Sequence, residues 1–299
     1  MIDRRSPGER LAFLAFLAVI ACLVAGAGTA RAEDGVGVVA EYRPAASRFS
    51  FTRGSAGQQV PVRIGTVVLA GDRLSLPAGS AVVIRQGDGQ QREFTGPGTF
   101  DVPATTSLGT LASVFRSISA VFDDEYRLAG TAASRGGEDC RGKDGAVPPI
   151  DVPILAGEPA LAAGERDLPL AWVGGCTPFE VSLRTADGRT LYRESVAGRQ
   201  VRLDDVPLAV GRYEIVIADS SGLHFTGSVD AVTAAPALPG DIAGDSSPLG
   251  VVAGAVWLAQ QESGRWRFES FERLRPLIRA GDPLAGAIGD GVLWGDYGR

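Results

Sequence analysis

Apolar and polar positions alternate along much of residues 35–103, and the alternation restarts after each cluster of glycine, proline or aspartate. Val60, Val62 and Ile64 form one period-two set, and Leu74 and Leu76 form another. Ala81-Val82-Val83-Ile84 is a continuous apolar run of strand length, and Phe94, Phe100 and Val102 continue the rhythm. Between them lie Gly71-Asp72, Pro77-Ala78-Gly79, Gly87-Asp88-Gly89 and Gly96-Pro97-Gly98. Period-two apolarity marks half-buried strands. Asp-Gly marks a hairpin, because the central positions of its turn need positive φ. Residues 35–104 are therefore expected to form a compact β-roll or barrel, the glycines serving as turn residues.

The rhythm changes at residue 105. Leu108, Leu111, Phe115, Ile118 and Phe122 recur at steps of three and four, which predicts an amphipathic connecting helix within 105–128 packed on the first module. Thr105 to Ser107 supply capping hydroxyls. Residues 129–149, rich in Gly, Ser and charge, read as a linker.

Alternation resumes over 150–234. Leu168, Leu170 and Trp172 share a face, as do Phe179, Val181 and Leu183, and later Tyr213, Ile215 and Ile217. Asp187-Gly188 and Ser221-Gly222 mark turns. About seven short strands in this span predict an immunoglobulin- or fibronectin-like sandwich. The segment Leu208 to Tyr213 has the form of the corner that precedes a late strand in such modules. Residues 235–247 form a second linker. Residues 248–299 read as a helical tail, a cap or docking element with Val252, Ala255, Val256 and Ala259 at helical spacing and Phe268, Phe271, Leu274 or Leu277, and Ile278 on one stripe. The fold class is mainly β, with two β modules, a connecting helix and C-terminal helices.

The first 32 residues read as an export signal. Arginines in MIDRRSPGER precede 18 uncharged residues, LAFLAFLAVIACLVAGAG, and Ala30-Arg31-Ala32 fits the small-x-small cleavage pattern, placing the cut after Ala32. Val19-Ile20-Ala21-Cys22 resembles the bacterial lipobox, so lipidation at Cys22 is an alternative, and an uncleaved anchor is a third. Each route places residues 33–299 outside the cytoplasm, in the periplasm or secreted from a Gram-negative cell, with a membrane-anchored lipoprotein as the alternative. Membrane contact would come only through the N-terminal segment.

Charge narrows the functional classes. The chain has 29 Lys and Arg against 35 Asp and Glu, a net charge of −6. Removing residues 1–32 takes away four arginines and two acids and leaves −8. An acidic chain is a poor nucleic-acid binder. Cleavage also removes Cys22 and leaves Cys140 and Cys176, which an oxidising compartment favours as a disulfide over two unrelated thiols. Closing that loop stabilises by about 3–4 kcal/mol in the chain-entropy model.

Candidate chemistry is sparse. The single histidine, His224, stands in Leu223-His224-Phe225 without a nucleophile motif beside it. The single lysine, Lys143, lies in the linker, so a Ser-Lys dyad has little to build on. One His and two Cys cannot make the usual zinc spacings. Asp72, Asp88 and Asp101 lack the dense oxygen-ligand spacing of a calcium loop and read as turn residues. Asp123, Asp124 and Glu125 are adjacent and read as a solvated face; paired carboxylates leave a hydrolase as the weakest option. Trp172 is most simply a core anchor, and Trp172, Trp257, Trp266 or Trp294 would be the stacking surfaces of a polysaccharide binder. No cofactor is expected.

GTVVLAGDRLSLPAGSAVVIRQGDGQQREFTGPGTFDV resembles the periplasmic FecR-type domain, with Gly65, Gly71-Asp72, Gly79-Ser80-Ala81 and Asp88-Gly89 at the places of that family's glycine-bearing strand, GD turn, small-residue strand start and DG hairpin. FecR regulators carry a cytoplasmic anti-sigma segment before a membrane helix, whereas only about ten residues precede the apolar run here. The resemblance implies a freestanding, exported relative. The expected function is that of a non-catalytic envelope component that binds or scaffolds another envelope protein, or accompanies signalling. A cell-wall or polysaccharide binder is the alternative.

Overall fold

Gly35–Arg43 forms a strand, β1, whose run Val36-Gly37-Val38-Val39-Ala40 is apolar on consecutive positions because both of its faces are covered. The computed structural model describes residues 35–44, 49–54, 56–103, 107–109, 111–119, 140 and 145–294. Ala32, Cys22, Lys143 and the run Asp123, Asp124 and Glu125 lie outside the described residues, as do the expected signal segment, the last part of the expected connecting helix and most of the expected first linker.

The remaining strands of the first module are β2 (Ser50–Arg53), β3 (Gln58–Pro61), β4 (Val67–Leu69), β5 (Arg73–Leu76), β6 (Ala81–Gln86), β7 (Gln91–Thr95) and β8 (Gly98–Asp101). They form two antiparallel sheets, ordered β4-β1-β6-β7 and β3-β2-β5-β8. Val39, Phe51, Leu74, Leu76, Val82, Ile84 and Phe94 fill the space between them. The glycines do turn work. Gly71 sits at φ +80°, and a Cβ on Gly96 would stand 2.0 Å from the Pro77 carbonyl oxygen, so no side chain fits there. Asp72, beside Gly71, is buried; its carboxylate accepts the Leu69 N–H at 2.9 Å and both arms of Arg53 at 2.9 and 2.7 Å.

The second module is a β-sandwich of immunoglobulin-like character. Its strands are β9 (Ala160–Ala162), β10 (Gly164–Ala171), β11 (Phe179–Thr185), β12 (Thr190–Val196), β13 (Gln200–Leu208), β14 (Gly211–Asp219) and β15 (His224–Val232). One sheet is ordered β12-β11-β14-β15-β9 and the other is the pair β10-β13; β9 runs parallel to β15 and every other pairing is antiparallel. Leu168, Leu170, Val181, Leu183, Ile215 and Ile217 meet between the sheets. Trp172 is fully buried, edge-on to Phe179 with ring centroids 5.2 Å apart. Tyr213 donates its hydroxyl to the Ala209 carbonyl at 2.9 Å, a tyrosine corner at the predicted place.

Among the described residues five α-helices complete the fold: α1 (Leu111–Ser119), α2 (Gly240–Ala243), α3 (Pro248–Gln260), α4 (Arg267–Arg279) and α5 (Pro283–Leu293). Ser247 caps α3 by accepting the Gly250 N–H at 3.1 Å, and Asp282 caps α5 by accepting the Ala285 N–H at 2.9 Å; proline follows each cap. α3 is apolar almost all round because it is buried almost all round. The helices do not form a peripheral cap. Val38, Ala40, Val67 and Leu69 on the outer face of the first sheet pack with Leu111 and Phe115 of α1 and with Val252, Val256, Phe271, Leu274, Ile288 and Val292 of α3, α4 and α5. The expected single stripe on α4 is divided: Phe271 and Leu274 join this central core, while Phe268 enters the core of the sandwich, as does Leu293 of α5. Gly35–Arg299 is accordingly one compact unit in which the helices are shared by both β modules.

Candidate functional site

The residue types of a hydrolytic triad meet at one place, the β14–β15 hairpin, where the aspartate and both serines are held in structural hydrogen bonds. Asp219 accepts backbone N–H groups from Cys176 at 2.7 Å, Ser221 at 2.9 Å and Leu223 at 2.8 Å. Burial pushes its carboxyl up, but these bonds and that from the Ser221 hydroxyl outweigh it and hold the group below the usual aspartate value of 3.8. Ser220 donates its hydroxyl to the carbonyls of Cys176 and Thr177, at 3.2 and 2.9 Å, and Ser221 donates to Asp219 at 2.8 Å. His224 is exposed at the start of β15, and among the described residues no hydrogen bond links it to either serine or to Asp219. This is a hydrogen-bonded turn, and its purpose is to seat the loop that carries Cys176.

That loop bears the disulfide: Cys140 and Cys176 are joined, 36 residues apart in sequence with Cα atoms 5.1 Å apart. Cys176 lies just past the end of β10, whereas α4 meets β10 near its beginning, at Asp167. The disulfide thus ties Cys140, within the linker, to the loop that follows β10.

The aspartates with calcium potential are likewise occupied. Asp72 is held by Arg53, Asp101 pairs with Arg73 at 2.9 Å, and Asp88 accepts the Gln90 N–H at 3.0 Å within its hairpin. Among the described residues no group of three or more His, Cys, Asp or Glu is placed to hold a metal ion. The tryptophans offer little platform for sugar stacking. Trp172 and Trp266 are buried, and Trp257 and Trp294 are half-buried against apolar cores.

Two polar clusters at the helical junction escaped sequence reasoning. In the first, Arg85 of β6 is 3% exposed and donates to Asp282 at 2.5 Å. An arginine inside the apolar run AVVIRQ was the available signal. In the second, Asp167 of β10 has a fully buried side chain that receives Arg275 at 3.1 Å, Arg279 at 3.1 Å and the Asp205 N–H at 3.1 Å. Burial pushes Asp167 up, and these three donors more than reverse the shift, so its carboxyl lies below the usual value. Glu272 pairs with Arg275 at 2.9 Å, but burial pushes its carboxyl up by more than that arginine pulls it down. Glu269 adds a bond to the Ala162 N–H at 2.9 Å. The signal was the spacing Glu269, Glu272, Arg275, Arg279 along one side of α4.

What the molecule leaves unused is backbone at the ends of its sheets. Among the described residues β3, β4, β7, β8, β9, β10, β12 and β13 each lack a strand neighbour on one side, and β12, Thr190–Val196, is largely exposed. No helix among the described residues is long and apolar enough to cross a membrane.

No protein-family model and no curated protein matches the chain. Among solved structures the chain is similar to CopC from Methylosinus trichosporium OB3b, at 21% identity over 31% of this chain and 97% of that one, with a TM-score of 0.20. It is similar to PorZ, a surface component of the type-IX secretion system of Porphyromonas gingivalis, at 15% identity over 52% of this chain and 16% of that one, with a TM-score of 0.21. It is also similar to the IG1+IG2 structure of DIP-gamma, at 13% identity over 62% of this chain and 81% of that one, with a TM-score of 0.19. At TM-scores this low none of the three bears on what the chain does.

Proposed function

We propose that this chain is an exported, non-catalytic component of the bacterial envelope, with a FecR-like first module, and that it works by holding another envelope protein. The observation that carries the reading is the commitment of its reactive side chains. Asp72, Asp167, Asp219 and Asp282 each answer to named arginines or backbone N–H groups, and Ser220 and Ser221 are spent within the same turn as His224. Bonds of this kind stabilise a scaffold, which supports a binding role. The Cys140–Cys176 disulfide supports an oxidising compartment. Open strands at sheet ends support binding through the backbone, since an extended segment can add to such an edge.

The experiment is in-cell photo-cross-linking from exposed edge positions, with fractionation to locate the protein. A defined envelope protein joined from an edge position supports the reading. Turnover of any compound by the purified chain contradicts it.

A further inference from the structure

Most of the open strands discourage a further strand by their own sequence. Among the described residues β3, β10 and β13 carry Pro61, Pro169 and Pro207, and β4, β7, β8 and β9 have five residues or fewer. Proline and short length both blunt an edge. β12 is the exception: Thr190–Val196 holds seven residues with no proline and no glycine, and it pairs with β11 on one side alone. The outer face of its sheet is laced by opposite charges across successive strands. Arg212 of β14 pairs with Asp230 of β15 at 2.8 Å, Arg184 of β11 stands opposite Glu214 of β14, and Glu180 of β11 pairs with Arg193 of β12 at 3.4 Å. Arg193 is 57% exposed, and the lacing stops at it because no strand follows. On the other face of β12, Glu194 accepts the Tyr192 hydroxyl.

We propose that β12 is the edge that takes the partner and that Arg193 and Glu194 select it. The occupant is an extended segment of a different envelope protein, with an acidic residue opposite Arg193 and a basic residue, next to it in sequence, opposite Glu194. This selectivity rests on the binding role already proposed and adds the edge and the partner's chemistry. An added strand gains affinity from backbone hydrogen bonds and selectivity from the side chains it meets. Opposite charges directly across two strands stabilise the pair, and like charges repel. An acid opposite Arg193 extends the lacing of the sheet by one strand. A second copy of this chain is turned away by the same two residues. Antiparallel pairing about a twofold sets one residue opposite itself. The register that uses all of Thr190–Val196 sets Arg193 opposite Arg193. Leu191 is the extra residue of a bulge, and the register that uses the regular part, Tyr192–Val196, sets Glu194 opposite Glu194.

The test places a photo-cross-linking residue at Ser195, which shares the outer face with Arg193, and reads the joined peptide by mass spectrometry. The expected peptide belongs to another envelope protein and carries an acid and a base side by side. Arg193→Glu and Glu194→Arg should each lower the adduct about tenfold. Arg193→Lys should keep it, and exchanging the acid and the base in the partner should restore it to the chain that carries both reversals. In the purified chain, the parent should sediment as a monomer and the double variant Arg193→Thr with Glu194→Thr as a dimer. These positions are exposed, and circular dichroism checks that each variant is folded. An adduct that both reversals leave unchanged, or one from Thr99 of β8 with none from Ser195, overturns the assignment and leaves the binding role standing. A parent dimer, or a double variant that stays monomeric, overturns the exclusion of a second copy. No adduct from either edge overturns the assignment and the binding role together.

Discussion

Arg85 and Asp282 stand 197 residues apart in sequence and 2.5 Å apart in the fold, in an ion pair buried between β6 and the start of α5. Asp282 serves twice, since its other oxygen caps α5 through the Ala285 N–H. The pair therefore joins the first module to the last helix at a helix terminus, where a carboxylate also meets the positive end of the helix dipole. Replacing Asp282 with Ala leaves a buried guanidinium unpaired and a helix uncapped, and is expected to cost about 3–5 kcal/mol in denaturant unfolding. Asp282→Asn keeps a cap and should recover about 1 kcal/mol of that loss. Adding Arg85→Met to Asp282→Asn should recover more, because the orphan charge is gone.

Phe268 and Phe271 lie three residues apart on α4 and enter different cores, the first that of the sandwich and the second that of the helices and the first module. Each, changed to Ala, should cost about 3–5 kcal/mol. Because one set of helices completes both cores, the parent should unfold in a single transition seen alike by tryptophan fluorescence and far-ultraviolet circular dichroism. Two separated transitions in the parent would mean that the modules are independent.

These cases mark the reach of the sequence. Leu74 and Leu76, or Ile215 and Ile217, announce their strands because one face of each strand is buried and period two survives in the residues. Asp88-Gly89 and Asp187-Gly188 announce hairpins because positive φ at Gly89 and Gly188 restricts the residue type, although the aspartates, expected to share it, do not. The placement of the C-terminal helices was not legible. Phe268 and Phe271 read as one stripe, since periodicity shows that a face is buried and does not show against what. Pairings across long separations, such as Arg85 with Asp282 or Asp167 with Arg275 and Arg279, leave no signal of which residue meets which. The disulfide was legible because only two cysteines lie beyond residue 32. The use of the aspartates as clamps was not legible, since their partners lie far away in sequence.

Tyr213→Phe removes a single hydroxyl, the one donated to Ala209, and leaves the ring in the core. The expected loss is about 1 kcal/mol in denaturant unfolding, with the sandwich otherwise intact. A negligible change would mean that the corner is held by packing alone.

Cys140 and Cys176 should react with no thiol reagent in the native mature chain and with two equivalents after reduction. Replacing both with Ser should lower stability by about 3–4 kcal/mol by freeing the unfolded chain. Thiols already reactive in protein recovered from the envelope fraction would contradict an oxidised, exported state.

The most direct test of a non-catalytic binding role places a photo-cross-linking residue at Ser195 on the β12 edge and, separately, at Thr99 on the β8 edge, both exposed, in living cells. The expected result is a discrete adduct with one identifiable envelope protein from at least one of these edges, and none from a position inside the described cores. No protein adduct from either edge, together with turnover of a defined compound by the purified chain, would contradict it.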